Sequence, residues 1–160
     1  MIDSDTFKRL RDGDTQAFEQ IIHAYQHEML CVAARIIGQL ADAEEVRQRI
    51  LIRIWQAPQK LPKAESFEAW LRRCVVNESI SHLRQQKRRN LLMSEFAVSR
   101  TSDSSEQEDF DVEQVRLALS QLEPDQRALL ALKFDGQLTV REIGLVLERS
   151  HTTIHSQLAR

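Results

Sequence analysis

Between Phe18 and Ile37 apolar side chains return every three or four positions, so that Phe18, Ile21, Ile22, Tyr25, Met29, Val32, Ala33, Ile36 and Ile37 fall on one stripe of a helix. Such a face is stable only when other elements cover it. The rest of the chain offers helices for that purpose. Gly (4) and Pro (3) are scarce, and no run alternates cleanly enough for a half-buried strand. The sequence therefore reads as all-α, and 160 residues with 42% hydrophobic content suffice for one modest core or two small ones.

Local signals set the expected boundaries. Asp3 or Ser4 caps a short first helix, Gly13 interrupts it, and Asp14 caps the long striped one. Asp42 with Glu45 has the form of a capping box and opens a third helix to about Trp55, before Pro58. After a loop from Gln59 to Glu65, Ser66 is expected to cap a fourth helix. Its apolar face is Phe67, Trp70, Leu71, Val75, Ile80 and Leu83, and its far end is basic. Beyond it the run SRTSDSSEQEDFD is Ser-rich and acidic, the composition of a solvated tether. Two small helical domains follow: one over 1–93, a flexible acidic linker over 94–110, and a second over 111–160, with the two expected to move independently.

In the second domain Val112, Val115, Leu119 and Leu122 mark one helix, and Pro124 begins another that runs through Phe134 to Gly136. Thr139 with Glu142 is a capping box for the helix TVREIGLVL, and Ser150 caps HTTIHSQLAR after a turn at Glu148 and Arg149. Two short helices across a tight turn have the layout of a helix-turn-helix, whose second helix enters the major groove. Ile154 and Leu158 point inward. His151, Thr152, Thr153, His155, Ser156, Gln157 and Arg160 supply donors and acceptors on the outer sides.

A net charge of −2 argues against a protein that coats nucleic acid or anionic membrane by overall charge alone. Against that background Arg72, Arg73, Arg84, Lys87, Arg88 and Arg89 share one segment with Trp70, Asn77 and His82. Cations there suit phosphates, whereas Trp70, on the apolar stripe, is assigned to the core. No stretch is long and apolar enough to insert in a membrane, and MIDSDTFKRL lacks a signal-peptide core, so a cytoplasmic protein is expected. Cys31 and Cys74 are read as free thiols in apolar patterns. His23 with His27 and His151 with His155 lack a third ligand, and no nucleophile or phosphate-loop pattern occurs. No metal, cofactor or enzymatic activity is expected.

Two ordered stretches resemble one family. GDTQAF (Gly13 to Phe18), DAEEVRQRILIRIW (Asp42 to Trp55) and SFEAWLRRCVVNESISHLRQQKRR (Ser66 to Arg89) form the first, and the chain from Leu119 onward forms the second. Both are similar to the extracytoplasmic-function (ECF) group of the sigma-70 family of bacterial RNA polymerase sigma factors. The resemblance implies that the first domain grips core RNA polymerase, with Asp42, Glu45 and Gln48 facing it. Asn77 and the loop before Ser66 would hold an unpaired base, and the helix end with Arg84, Lys87, Arg88 and Arg89 would follow the melted strand. His151, Thr152, Thr153, His155, Ser156, Gln157 and Arg160 would read the upstream promoter element, and an anti-sigma factor is an implied partner.

The sequence departs from the family pattern at named places. Arg47 and Arg49 replace an apolar and an acidic residue, Ser81 replaces an Asp, Glu148 a turn Gly and His155 a Lys. The recognition helix reaches Arg160, where relatives continue it, which implies either a truncated product or weak upstream-element binding. Two other classes fit the residues: a helix-turn-helix regulator acting without core polymerase, and a sigma-like adaptor that has lost promoter binding.

Overall fold

The computed structural model describes residues 3–94 and 110–159, and it is helical throughout, with α1 (Ser4–Arg11), α2 (Thr15–Ile37), α3 (Leu40–Gln56), a 3-10 turn at Pro58–Lys60, α4 (Ala64–Ser94), α5 (Phe110–Ser120), α6 (Pro124–Phe134), α7 (Val140–Leu147) and α8 (His151–Leu158). Residues 95–109, which contain most of the expected linker, and Arg160 lie outside the described residues.

The first half closes around α2. Asp3 accepts from the backbone N–H groups of Asp5 and Thr6 at 2.9 and 2.8 Å, and Asp14 caps α2 through Gln16 N at 2.8 Å. Gly38 ends α2 at φ +86°, a left-handed conformation in which a side chain would be strained. α3 and α4 then cover the stripe on α2, burying Ile21, Met29, Val32 and Ile36 against Val46, Ile50 and Ile54 and against Phe67, Leu71 and Val75. Phe67 is the hub of an aromatic cluster, with ring centroids 5.2 Å from Phe7, 5.9 Å from Tyr25 and 5.7 Å from Trp70. Trp70 is half-buried on that cluster, as its place on the stripe implies.

Two boundaries differ from expectation. α3 starts at Leu40, so Asp42 lies inside its first turn and caps nothing; its cap position is Gln39, which makes no side-chain bond. α4 starts at Ala64, and Ser66 is likewise within the first turn. In both cases a short helical run before the polar signal extends the helix backwards, because Leu40, Ala41 and Ala64 favour helix as much as the signal favours a cap.

The second half follows the expected plan. Pro124 takes the first turn of α6, with Glu123 N bonded by Gln126 Oε1 at 3.0 Å. Thr139 and Glu142 make the reciprocal capping box of α7, Glu142 N donating to Thr139 Oγ1 at 3.3 Å and Thr139 N to Glu142 Oε2 at 2.8 Å. Ser150 caps α8 through Thr153 N at 3.2 Å. Ala128, Leu129, Leu132, Ile143, Val146 and Ile154 are buried between α6, α7 and α8. Gly144 allows the α7–α8 turn to fold back tightly, since a Cβ there would stand 2.8 Å from the Arg149 carbonyl oxygen.

The two halves do not stand apart. α6 packs on α2, and α6 and α7 pack on α4, so that the buried apolar side chains of both halves form one continuous cluster.

Candidate nucleic-acid and polymerase interface

On α8 the inward side is apolar, with Ile154 fully buried and Leu158 half-buried, while His151, Thr152, Thr153, His155, Ser156 and Gln157 are all exposed. The sequence assigned these same six to the groove; Arg160 lies outside the described residues. Three of them already have partners. The Thr152 and Thr153 hydroxyls lie 2.9 and 2.7 Å from Ser150 Oγ, and Gln157 Oε1 accepts from Arg149 at 3.4 Å. Arg149 also pairs with Asp125 at 3.0 Å, which places a cation at the N-terminal edge of the recognition helix. Sequence reading treated Arg149 only as a turn residue. Its position immediately before the Ser150 cap was the available signal.

Glu148 closes α7 at φ +54°, in the left-handed region. This is the turn position at which the sequence carries Glu in place of Gly, and the structure shows the backbone keeping the glycine-type conformation.

On α4 the expected strand-contacting residues separate into two groups. Asn77, Arg84, Lys87, Arg88 and Arg89 are exposed. Arg72 is instead held in the first half by Glu28 at 2.6 Å and Glu68 at 3.4 Å, and Arg73 donates to backbone carbonyls of α7, so neither is a free cation. Buried His82 lies between α3 and α4. Its Nδ1 is 3.0 Å from Arg49 Nη2, and its Nε2 is 3.3 Å from Asp42 Oδ2 without hydrogen-bond alignment. Arg49 also pairs with Glu78 at 3.2 Å, and Arg53 joins the same carboxylate at 3.0 Å. The departure at Arg49 is thus matched by an acid on the facing helix.

Asp42 accordingly belongs to the α3–α4 seam, half-buried beside His82, with Gln86 Nε2 at 3.5 Å. Glu45 and Gln48 face solvent on the outer side of α3. Beside Gln48 runs an apolar groove lined by Phe18, Ile22, Leu51, Ile52 and Trp55, in which Ile52 is 47% and Trp55 46% exposed. Phe18 stacks obliquely on Trp55 at 5.0 Å. Phe18 and Ile22 belong to the stripe read on α2 and are half-buried at its edge; Leu51, Ile52 and Trp55 escaped the sequence reading as a surface, although they fall off the buried face formed by Ala43, Val46, Ile50 and Ile54.

Titration follows the packing. The Glu142 carboxyl is held below its ordinary range by the Thr139 hydroxyl and backbone N–H. Burial pushes the Cys74 thiol up, and both cysteines are free and half-buried. No group of three or more His, Cys, Asp or Glu side chains suited to a metal occurs among the described residues, and no described helix is long and apolar enough to cross a membrane.

Two family descriptions match in order: Sigma-70 region 2 over residues 21–89 and Sigma-70 region 4 over residues 112–160. The ECF RNA polymerase sigma factor SigW of Bacillus subtilis is 24% identical, with 96% of this chain aligned to 89% of that one. The chain belongs to the extracytoplasmic-function group of the sigma-70 family. As an RNA polymerase sigma factor it serves promoter-specific initiation of transcription. The RNA polymerase sigma-H factor of Pseudomonas aeruginosa is 26% identical over 99% of this sigma factor and 89% of the relative. The probable RNA polymerase sigma factor RfaY of Xanthomonas campestris is 28% identical over 92% of this chain, which spans only 39% of RfaY. The same fold occurs in CnrH, solved in complex with the cytosolic domain of CnrY (TM-score 0.72, 18% identity, 99% of this chain and 90% of that one). It occurs also in RpoE of Bartonella quintana, solved with the anti-sigma factor NepR (TM-score 0.72, 20% identity, 91% and 92% of the two chains).

Proposed function

We propose that the two halves divide promoter recognition. Residues 1–93 hold core RNA polymerase through α3 and open the downstream element with the far half of α4. Residues 111–160 read the upstream element with α8. The observation that carries this reading is the make-up of α8, where one buried Ile154 anchors a helix whose six other named side chains are polar and exposed. Short polar side chains on a docked helix are what base-edge recognition needs, while the exposed basic end of α4 supplies sequence-independent contacts to phosphate.

On α3 the reading assigns polymerase contact to Glu45 and Gln48 together with the neighbouring Ile52 and Trp55. An exposed apolar patch rimmed by polar groups is a usual protein-binding surface. Asp42 then acts by fixing α3 on α4. The likeness to RpoE, solved with NepR, supports an anti-sigma partner for this chain. The work assigned to the protein is binding, without catalysis or cofactor, in the cytoplasm.

Transcription from a cognate promoter by purified core polymerase tests the whole reading. The chain is expected to confer promoter-dependent initiation, and Thr153→Ala or Gln157→Ala to change preference at individual upstream bases by about 1–3 kcal/mol. Stable polymerase binding without promoter-dependent transcripts would replace it with the adaptor reading. Promoter binding without polymerase would replace it with the regulator.

A further inference from the structure

Arg149 stands in the turn between α7 and α8, and its backbone is fixed before its side chain begins. The N–H donates to the Gly144 carbonyl at 3.0 Å, and the Arg149 carbonyl oxygen lies so near Gly144 that a Cβ there would stand 2.8 Å from it. From that footing the guanidinium spans two partners within the second half. Nη2 donates to Asp125 Oδ1 at 3.0 Å, in the first turn of α6, and Nη1 donates to Gln157 Oε1 at 3.4 Å, in the last turn of α8. Arg149 is 34% and Asp125 53% exposed, so the ion pair adds little to stability. Its consequence is positional: the carboxylate holds the guanidinium beside Gln157.

That neighbour fixes the sense in which Gln157 can be read. A guanidinium has five N–H donors and no acceptor, so the end of the amide that faces it must be the carbonyl, and the two N–H donors on Nε2 are left for the groove. The bond is long, but it can run in one direction only. The other exposed polar side chains of α8 are adaptable. The Thr152 and Thr153 hydroxyls lie 2.9 and 2.7 Å from Ser150 Oγ, where either atom can donate. Likewise the hydroxyl of Ser156 and a neutral imidazole at His151 or His155 can each donate or accept.

In the major groove guanine and thymine present keto oxygens, O6 and O4, which accept, whereas adenine and cytosine present amino groups, N6 and N4, which donate. Glutamine pairs with adenine through both ends of its amide, accepting from N6 and donating to N7. With its carbonyl held by Arg149, Gln157 has lost half of that pairing, and its amino group faces an adenine or cytosine amino group donor to donor. We propose that Arg149, held by Asp125, is a positioning residue that makes Gln157 a hydrogen-bond donor to the upstream element, so that α8 selects a keto base over an amino base where Gln157 meets the groove. The inference rests on the reading of α8 as the base-contacting helix and adds the chemistry of the base it selects.

The test uses the full chain assembled with core RNA polymerase, and a library of promoter duplexes randomised through the upstream element, with the bound DNA sequenced. Gln157→Ala identifies the position, as the base whose preference disappears. There the wild type is expected to favour guanine or thymine about fivefold, the low end for a well-made contact. Arg149→Lys, still a donor, should keep that preference, and Arg149→Met should abolish it while preferences elsewhere in the element persist. A mere phosphate contact by Arg149 would instead weaken every sequence alike and leave the preference in place. The exchange variant Arg149→Glu with Asp125→Arg puts an acceptor beside Gln157, which turns the amide over and should invert the preference to adenine or cytosine. A wild-type preference for adenine or cytosine at that base, an Arg149→Met chain that keeps the wild-type preference, or an exchange variant that fails to invert it would each overturn the proposal. If Arg149→Met loses every preference because the turn is disturbed, the exchange variant decides. Absence of any base that depends on Gln157, with Ser156→Ala still shifting preference, would overturn the proposal and leave α8 as the reading helix. Absence of any upstream preference in the wild type would overturn both.

Discussion

The first half is held by long helices that cover one another, and the second by short helices whose ends are individually fastened. α2 and α4 run for 23 and 31 residues, whereas α7 and α8 have eight each. An eight-residue helix leaves four N–H and four C=O groups without intrahelical partners, so its ends count for as much as its middle. That is why α6, α7 and α8 each carry an N-terminal hydrogen-bonded cap, and why α7 takes Arg73 as well. The first half tolerates Gln39, a cap position without a side-chain bond, because α3 has four buried apolar residues to hold it.

This contrast breaks most decisively at Ile154, the one fully buried side chain of α8. Ile154→Asp is expected to cost about 4 kcal/mol or more, since an unpaired carboxylate would enter a core with few other anchors. Hydrogen exchange should show α6 to α8 unprotected while α2 and α3 keep their protection. Loss of protection in both halves at once would mean that the shared apolar cluster makes them a single cooperative unit.

Next in size is the basic end of α4, where function and fold separate. Lys87, Arg88 and Arg89 are exposed, so their joint replacement by Ala should leave stability within about 0.5 kcal/mol. Each single-strand phosphate contact contributes about 0.7 to the salt slope. Three lost contacts at 0.1 M salt then weaken strand binding by two decades, on the order of a hundredfold. A salt titration that keeps its slope would return the cluster to solvated surface.

The caps of the second half come next. Thr139→Ala should destabilise it by about 1 kcal/mol, the usual cost of an N-cap. The same change should alter its acid response. Glu142 is depressed below its ordinary value by Thr139, so the stability this contributes is present above the unfolded-state pKa and is lost as pH falls through the folded one. Without Thr139 the acid-induced loss of α7 protection should shrink. An unchanged acid profile would show that other carboxylates govern it.

Much of this was legible in the sequence. The stripe on α2, the caps at Asp3, Asp14, Thr139 and Ser150, and the inward pair Ile154 and Leu158 all rest on local patterns that the packing obeys. What was not legible depends on neighbours distant in sequence. Asp42 reads as a cap and turns out to face His82 on another helix. Arg73 reads as a phosphate contact and is bound to α7, 72 residues away at the nearer carbonyl. A cation's partner cannot be read from spacing unless it lies within a helical turn. The docking of the halves was invisible for the same reason, since a tether of any composition permits contact between the domains it joins.

The smallest expected effect is the most informative about that docking. Glu148 holds a left-handed conformation that costs a non-glycine residue about 1–2 kcal/mol, part of which returns as backbone entropy if Gly replaces it. Glu148→Gly should therefore stabilise the turn between α7 and α8 by about 0.5 kcal/mol. It also removes the Glu148 carboxylate that pairs with Arg73; the Glu148 side chain is 71% exposed, where an ion pair contributes little. Arg73 keeps both carbonyls, at 2.8 and 2.7 Å. The expected outcome is slower exchange in α7 and α8, by roughly twofold for that gain, together with weaker salt dependence of the compact state. Faster exchange would mean that the pair across the halves outweighs the strain within the turn, and that the second half depends on the first for the geometry of its own helix-turn-helix.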